Sequence, residues 1–184
     1  MVSPRKAWWI ALAVMAVPAW SEQPTPSLGP LAQFQEQIAA YLKLRKMVTD
    51  QLPKLKPTPS AQELADRKTA LTSSLAKARA DAKPGAIFTA GVATEFRTMA
   101  KLALDGSDGT RVHKSLKRAE PVQVAVRVNQ EYPPAVPLQS MPPTLLMNLP
   151  KLPMELEYRL VGRTLVLRDV EANLIIDFLT EAIP

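Results

Sequence analysis

The sequence predicts an α+β protein, mainly helical in its N-terminal part, with a proline-rich extended segment and a small C-terminal antiparallel β-hairpin or sheet. Three observations carry this expectation. Apolar residues recur at helical spacing from Leu31 to Ala119, and the period changes to two at Pro121. Seven prolines then fall between Tyr132 and Pro153, ahead of a final run of alternating residues. The expected organisation is a signal peptide (1–21), a flexible lead-in (22–30), a helical region (31–120), an extended proline-rich segment (121–153) and a C-terminal β module (154–184).

Met1 to Lys6 carries Arg5 and Lys6 and no acid, Ala7 to Val17 is unbroken apolar sequence, and Pro18 ends the run. Ala19 and Ser21 stand three and one residues before a cut ahead of Glu22. Charged, apolar and small residues in that order read as a secretory signal peptide, with a cut after Ala19 as the alternative. A retained anchor is the competing reading, but a span needs about 20 apolar residues and this run is shorter. The expected destination is the periplasm or the medium, with no transmembrane span after cleavage.

Cleavage removes all three tryptophans and leaves a net charge of +4, the +6 of the whole chain less Arg5 and Lys6. About 163 residues suit one domain. Their apolar content leans on alanine, so a thin core is expected. The absence of cysteine excludes a thiol nucleophile, a thiolate metal site, dithiol redox chemistry and lipid attachment through a cysteine. It also leaves an exported fold to rely on packing alone.

The first helix is expected from Leu31 to Leu52, with Leu31, Phe34, Ile38, Tyr41, Leu42, Val48 and Leu52 on one face, Arg45 breaking the stripe and Pro53 ending it. Ser60 and Glu63 form the S-x-x-E capping box of a second helix, Ala61 to Lys83, with a stripe of Leu64, Leu71 and Leu75. Thr89 can cap a third, with Val92, Phe96, Met99 and Ala103 on one side and Asp105-Gly106 closing it. A shorter basic helix is expected over residues 108–120, exposing Arg111, Lys114, Lys117 and Arg118.

Val122, Val124, Val126 and Val128 alternate with polar or small residues, as in a half-buried strand. The prolines that follow lack the N–H that a helix or sheet interior requires, so this stretch should run extended, with one helical turn at Thr144 to Asn148. Strands are expected at Leu156 to Val161, Thr164 to Arg168 and Leu174 to Phe178, with Gly162 in the tight turn between the first two.

The stretch from Pro142 to Asp177 resembles the small C-terminal β module of exported bacterial proteins of the RcnB nickel/cobalt-homeostasis and CigR anti-virulence families. The resemblance lies in proline-punctuated leucines, Tyr158-Arg159 before Val161-Gly162, Leu165-Val166-Leu167 and a closing Leu174-Ile175-Ile176-Asp177. Gly85-Ala86-Ile87-Phe88-Thr89, ahead of Glu95-Phe96-Arg97, is similar to a phrase in a second group of secreted bacterial proteins with no established activity. The first resemblance implies a periplasmic metal-response role. With one histidine and no histidine-rich tract, the chain departs from a nickel- or cobalt-binding pattern.

No catalytic, metal or cofactor constellation stands out. His113 is the sole histidine, and no glycine-flanked serine elbow or H-E-x-x-H accompanies it. The carboxylates of Glu155, Glu157, Asp169, Glu171, Asp177 and Glu181 are interleaved with Arg159, Arg163 and Arg168, which reads as cross-strand ion pairing on an exposed face. The opposite face, with Tyr158, Leu160, Leu165 and Leu167, must be covered by the helices or by a partner protein, and is a candidate interaction surface. The basic face of Arg111, Lys114, Lys117 and Arg118 is a second candidate, for a polyanionic surface. Nucleic acid is not expected, since no aromatic side chains interleave with these charges to stack on bases. The leading expectation is a non-enzymatic binding role in the cell envelope with another envelope protein as partner and no cofactor. A periplasmic metal-response protein, and a hydrolase built from Asp and Glu residues that converge only in the fold, remain alternatives.

Overall fold

The computed structural model describes residues 29–54, 60–105, 109–112, 114, 125–133 and 141–183. Helix α1 spans Pro30–Gln51, α2 Ala61–Ala78, α3 Ala90–Ala103 and the short α4 Pro143–Asn148; strands β1 (Leu156–Val161), β2 (Thr164–Asp169) and β3 (Leu174–Leu179) follow. The strands form one antiparallel sheet in the order β1-β2-β3. The α+β class and the segregation of helices from strands are as the sequence indicates. No described helix is long and apolar enough to cross a membrane.

Local chemistry explains the helix ends. Pro30 opens α1 where its missing N–H has no intrahelical partner to lose. The Ser60 side chain accepts from the Glu63 N–H at 3.3 Å, which caps the start of α2. That helix stops at Ala78, short of the expected Lys83. Arg79 turns the chain there, and its guanidinium donates to Asn129 Oδ1 and to the Ile176 carbonyl, both at 2.8 Å. Thr89 stands at the N-cap of α3 but makes no side-chain cap bond. Its hydroxyl instead donates to Gln33 Oε1 at 3.0 Å, tying α3 to α1.

Phe34, Phe88 and Phe96 gather at the centre of the core, with ring centroids 4.9 to 6.0 Å apart, and Tyr158 meets Phe96 at 6.1 Å. Leu71 and Leu75 of α2, Leu145 of α4 and the inward residues of all three strands complete this cluster. Burial of such side chains contributes about 1.5–3 kcal/mol each, so sheet and helices stabilise one another. Leu31 and Leu64, expected on buried stripes, lie at its margin, 39% and 50% exposed. A smaller cluster of Tyr132, Val161, Val166 and Ile175 lies apart from it, with Val126 and Phe178 packed alongside.

The β1–β2 hairpin turns through Gly162-Arg163, with Val161 paired to Thr164 and Gly162 at φ +59°. Glycine at the first loop position matches a type II′ turn, whose twist suits the flanking strands. Between β2 and β3 the register shifts at Leu167/Arg168, so Leu167 pairs with Asp177 while Arg168 pairs with Ile175. Ile176 is the extra residue, and this bulge places Ile176 and Asp177 both toward the helices.

The strand expected over Val122–Val128 is not formed in its described part: residues 125–128 carry no strand, and 122–124 lie outside the described residues. The pairing comes later. Asn129, at φ +62°, turns the chain so that Asn129 N–H and Gln130 C=O bond Ile175 and Tyr132 N–H bonds the Asn173 carbonyl, closing the outer edge of β3. Residues 109–112 and 114 of the expected basic helix are helical, and the rest of it lies outside the described residues.

Candidate functional site

Two of the carboxylates read as surface ion-pair partners are fully buried. Asp169, at the end of β2, accepts from the Tyr41 hydroxyl at 2.8 Å, from Arg45 Nε at 2.7 Å and from the Ala172 N–H at 2.9 Å. Arg45, the residue that broke the α1 stripe, thus points at the sheet, and its second arm reaches Glu171 at 2.7 Å. Burial raises the Tyr41 phenol far above its ordinary range, and the charge of Asp169 and its hydrogen bond add to the effect.

Asp177 accepts from the backbone N–H groups of Gly85, Ile87 and Phe88 at 2.7 to 2.9 Å, and from Phe178 N–H. Gly85, at φ +82°, gives the loop the turn that aims these donors at one carboxylate. Arg97 of α3 donates to the Thr180 and Glu181 carbonyls beyond β3. The Gly85–Phe88 loop therefore holds β3 at Asp177, and Arg97 holds the chain just beyond the end of that strand. Strict alternation would have turned Asp177 outward; the bulge reverses it. The reading of Asp169 and Asp177 as exposed ion pairs is corrected accordingly.

Cross-strand ion pairing does occur at Glu157. It is bonded by Arg168 on the neighbouring strand and by Arg159 at 2.5 Å. Burial alone would raise its carboxyl, but hydrogen bonds from both arginines outweigh that and hold it below the usual carboxylate range. Arg168 also stacks over the Tyr132 ring at 5.6 Å. The Arg159 Nε and the Tyr132 hydroxyl are buried with no hydrogen-bond partner among the described residues.

The candidate apolar surface of Tyr158, Leu160, Leu165 and Leu167 is not open: all four are core residues at 4% exposure or less, in one cluster with residues of all four helices. Of the basic candidates, Arg111 and Lys114 are exposed on a helical segment, whereas Lys117 and Arg118 lie outside the described residues, as does His113. Among the described residues no three His, Cys, Asp or Glu side chains gather as a metal site.

What the surface offers is a groove of about 670 Å³ beside β1. One wall is Met141, Leu146, Met147 and Leu152, and the other is the consecutive run of residues 156–159. A groove on a sheet face would meet every second strand residue; four in a row mean that it follows the strand's edge. Met147 is 80% exposed and Leu146 half exposed. Lys151 stands at the rim, exposed and without an ion pair among the described residues. Sequence reasoning placed the α4 turn but not this wall; its signal was an apolar Leu145-Leu146-Met147 triplet on a helix too short to bury all three. Compared with known proteins, the chain matches no family model, no curated protein and no solved structure.

Proposed function

We propose that this is an exported, non-enzymatic binding protein of the cell envelope, and that the groove beside β1 is where it takes a protein partner. The observation that supports this most is that exposed Leu146 and Met147 stand together with half-buried Met141 and Leu152 along one groove, whereas the other exposed large apolar side chains, such as Leu102 and Met154, do not line it. Flexible thioethers adapt to varied apolar partners. The charged, apolar and small-residue order of the first twenty-one residues supports export. A hydrolase would need carboxylates converging on a cleft. Here Asp169 and Asp177 are engaged in the interior, and both oxygens of Glu157, the carboxylate lining the groove, are held by arginines.

The test is site-specific photocrosslinking in the producing cell, with the reactive group at Met147 in one variant and at exposed Lys46 in another. A discrete adduct from Met147 and not from Lys46 is the expected result. No adduct from Met147 overturns the reading of the groove. Amino-terminal sequencing of the exported protein should begin at Glu22 or Trp20, and material beginning at Met1 would overturn cleavage.

A further inference from the structure

Sulfur chemistry in this chain falls to methionine alone. There is no cysteine, and of the seven methionines Met1 and Met15 precede the expected cut. The others differ sharply in access. Met99 and Met141 are half-buried and pack against the main core cluster. Met47, Met147 and Met154 are 50%, 80% and 88% exposed. Of these three, only Met147 lines the groove beside β1. Helix α4 explains its position: Leu145 and Leu149, one turn apart, are buried, which leaves Leu146 and Met147 facing outward.

We propose that Met147 is a modification site at which a peroxide switches the groove off: oxygen transfer to its thioether turns part of the apolar wall into a polar sulfoxide and releases the partner. This rests on the groove being the binding site. The sulfur lone pair attacks one peroxide oxygen, so an S–O bond forms and the O–O bond breaks. The departing hydroxide takes the proton from the transferred oxygen and leaves as water. Sulfur is thereby oxidised by two electrons and the peroxide reduced by two. Access and position coincide at this one thioether. Met154 is as open but does not line the groove, and Met141 lines the groove but is half-buried.

A thioether is apolar and flexible, whereas a sulfoxide is polar, chiral and a strong hydrogen-bond acceptor. The rest of the wall is Met141, Leu146 and Leu152, none of which carries a side-chain donor to answer the new oxygen. A partner fitted to those side chains would cover an unpaired acceptor, which weakens binding. Met147 itself belongs to no core cluster, so the fold does not depend on its sulfur.

The purified chain is treated with hydrogen peroxide, freed of it and mapped by peptide mass spectrometry. Met147 and Met154 should oxidise first, and Met99 about tenfold more slowly. Treated and untreated chains, each with a photocrosslinking group at exposed Lys151, are then added to untreated envelopes of the producing cell. Oxidation should lower the yield of the Lys151 adduct about fivefold or more, and methionine sulfoxide reductases should restore it. Met147→Leu, which keeps an apolar side chain of similar volume, should retain its adduct through oxidation. Met154→Leu should lose its adduct as the parent does. Met147→Gln should lack the adduct without any peroxide, at an unchanged melting temperature. Oxidation of Met99 as fast as Met147 overturns the inference, as does equal loss from oxidised Met147→Leu. If a chain oxidised at Met147 gives an undiminished adduct, the switch fails and the groove reading stands. If the untreated chain gives no adduct from Lys151 the switch also fails, and the groove reading fails with it when Met147 gives none either.

Discussion

Asp177 Oδ2 accepts a hydrogen bond from the Ile87 backbone N–H at 2.7 Å, joining the last strand to the loop that launches α3. Two residues ninety positions apart thereby set how the sheet sits on the helices. The same carboxylate bonds Gly85 and Phe88, so one side chain satisfies three loop donors that would otherwise be orphaned beside the core.

Removing that acceptor should be severe. Asp177→Ala is expected to cost about 3 kcal/mol or more, because each buried N–H left unsatisfied costs about 1–3 kcal/mol. Asp177→Asn retains one acceptor oxygen and should cost less. Urea unfolding measures both, and exchange of the Ile87 and Phe88 amides should quicken in each.

Tyr41 and Arg45 donate to the same oxygen of Asp169, so their contributions should not add. Tyr41→Phe alone is expected to cost about 1–2 kcal/mol. A double-mutant cycle with Arg45→Met should return a coupling of about 0.5 kcal/mol or more. Strict additivity would show that the two donors act independently.

Burial first, then the charge and hydrogen bond of Asp169, keep Tyr41 protonated, and burial does the same for Tyr158. Both folded-state values lie above the ordinary value of 10.0, so above that pH the unfolded chain loses protons that the folded chain keeps. Stability should therefore fall as pH rises past about 10, by up to about 1.4 kcal/mol per unit for each tyrosine. Tyr41→Phe should flatten the slope in alkaline unfolding curves.

Glu157 behaves in the opposite sense. Despite burial, its bonds to Arg159 and Arg168 hold its folded-state value below the ordinary 4.5, so its stabilisation is present above that pH and is lost as pH falls through the folded-state value. Acid unfolding of Glu157→Gln should show a shallower pH dependence than the parent chain below about pH 4.5.

The inward residues of β1 to β3 share the main core cluster with α1, α2 and α3, so one cooperative transition is expected in calorimetry. Two separated transitions would show that the sheet folds as its own unit. Gly162→Ala should cost about 1–2 kcal/mol without steric conflict, since no atom lies within 4 Å of the added carbon and only the positive φ resists it.

Local sequence determined the α+β class, the positions of α1, α3 and the three strands, the α4 turn and the Gly162 hairpin, because those depend on spacing, capping and turn chemistry. Arg45 stood out as the break in an apolar stripe, but its partner Asp169 lies 124 residues away and no local pattern names it. Where strand alternation was extrapolated through Ile176, it turned Asp177 the wrong way, since a bulge is set by pairing between strands and not by composition. Tyr158, Leu160, Leu165 and Leu167 were legible as an apolar face; only packing decided that helices cover it. The groove beside β1 arises from the same cause: the tertiary structure lays Asn129–Tyr132 along the edge of β3 and α4 beside β1, and no one-dimensional pattern encodes that placement.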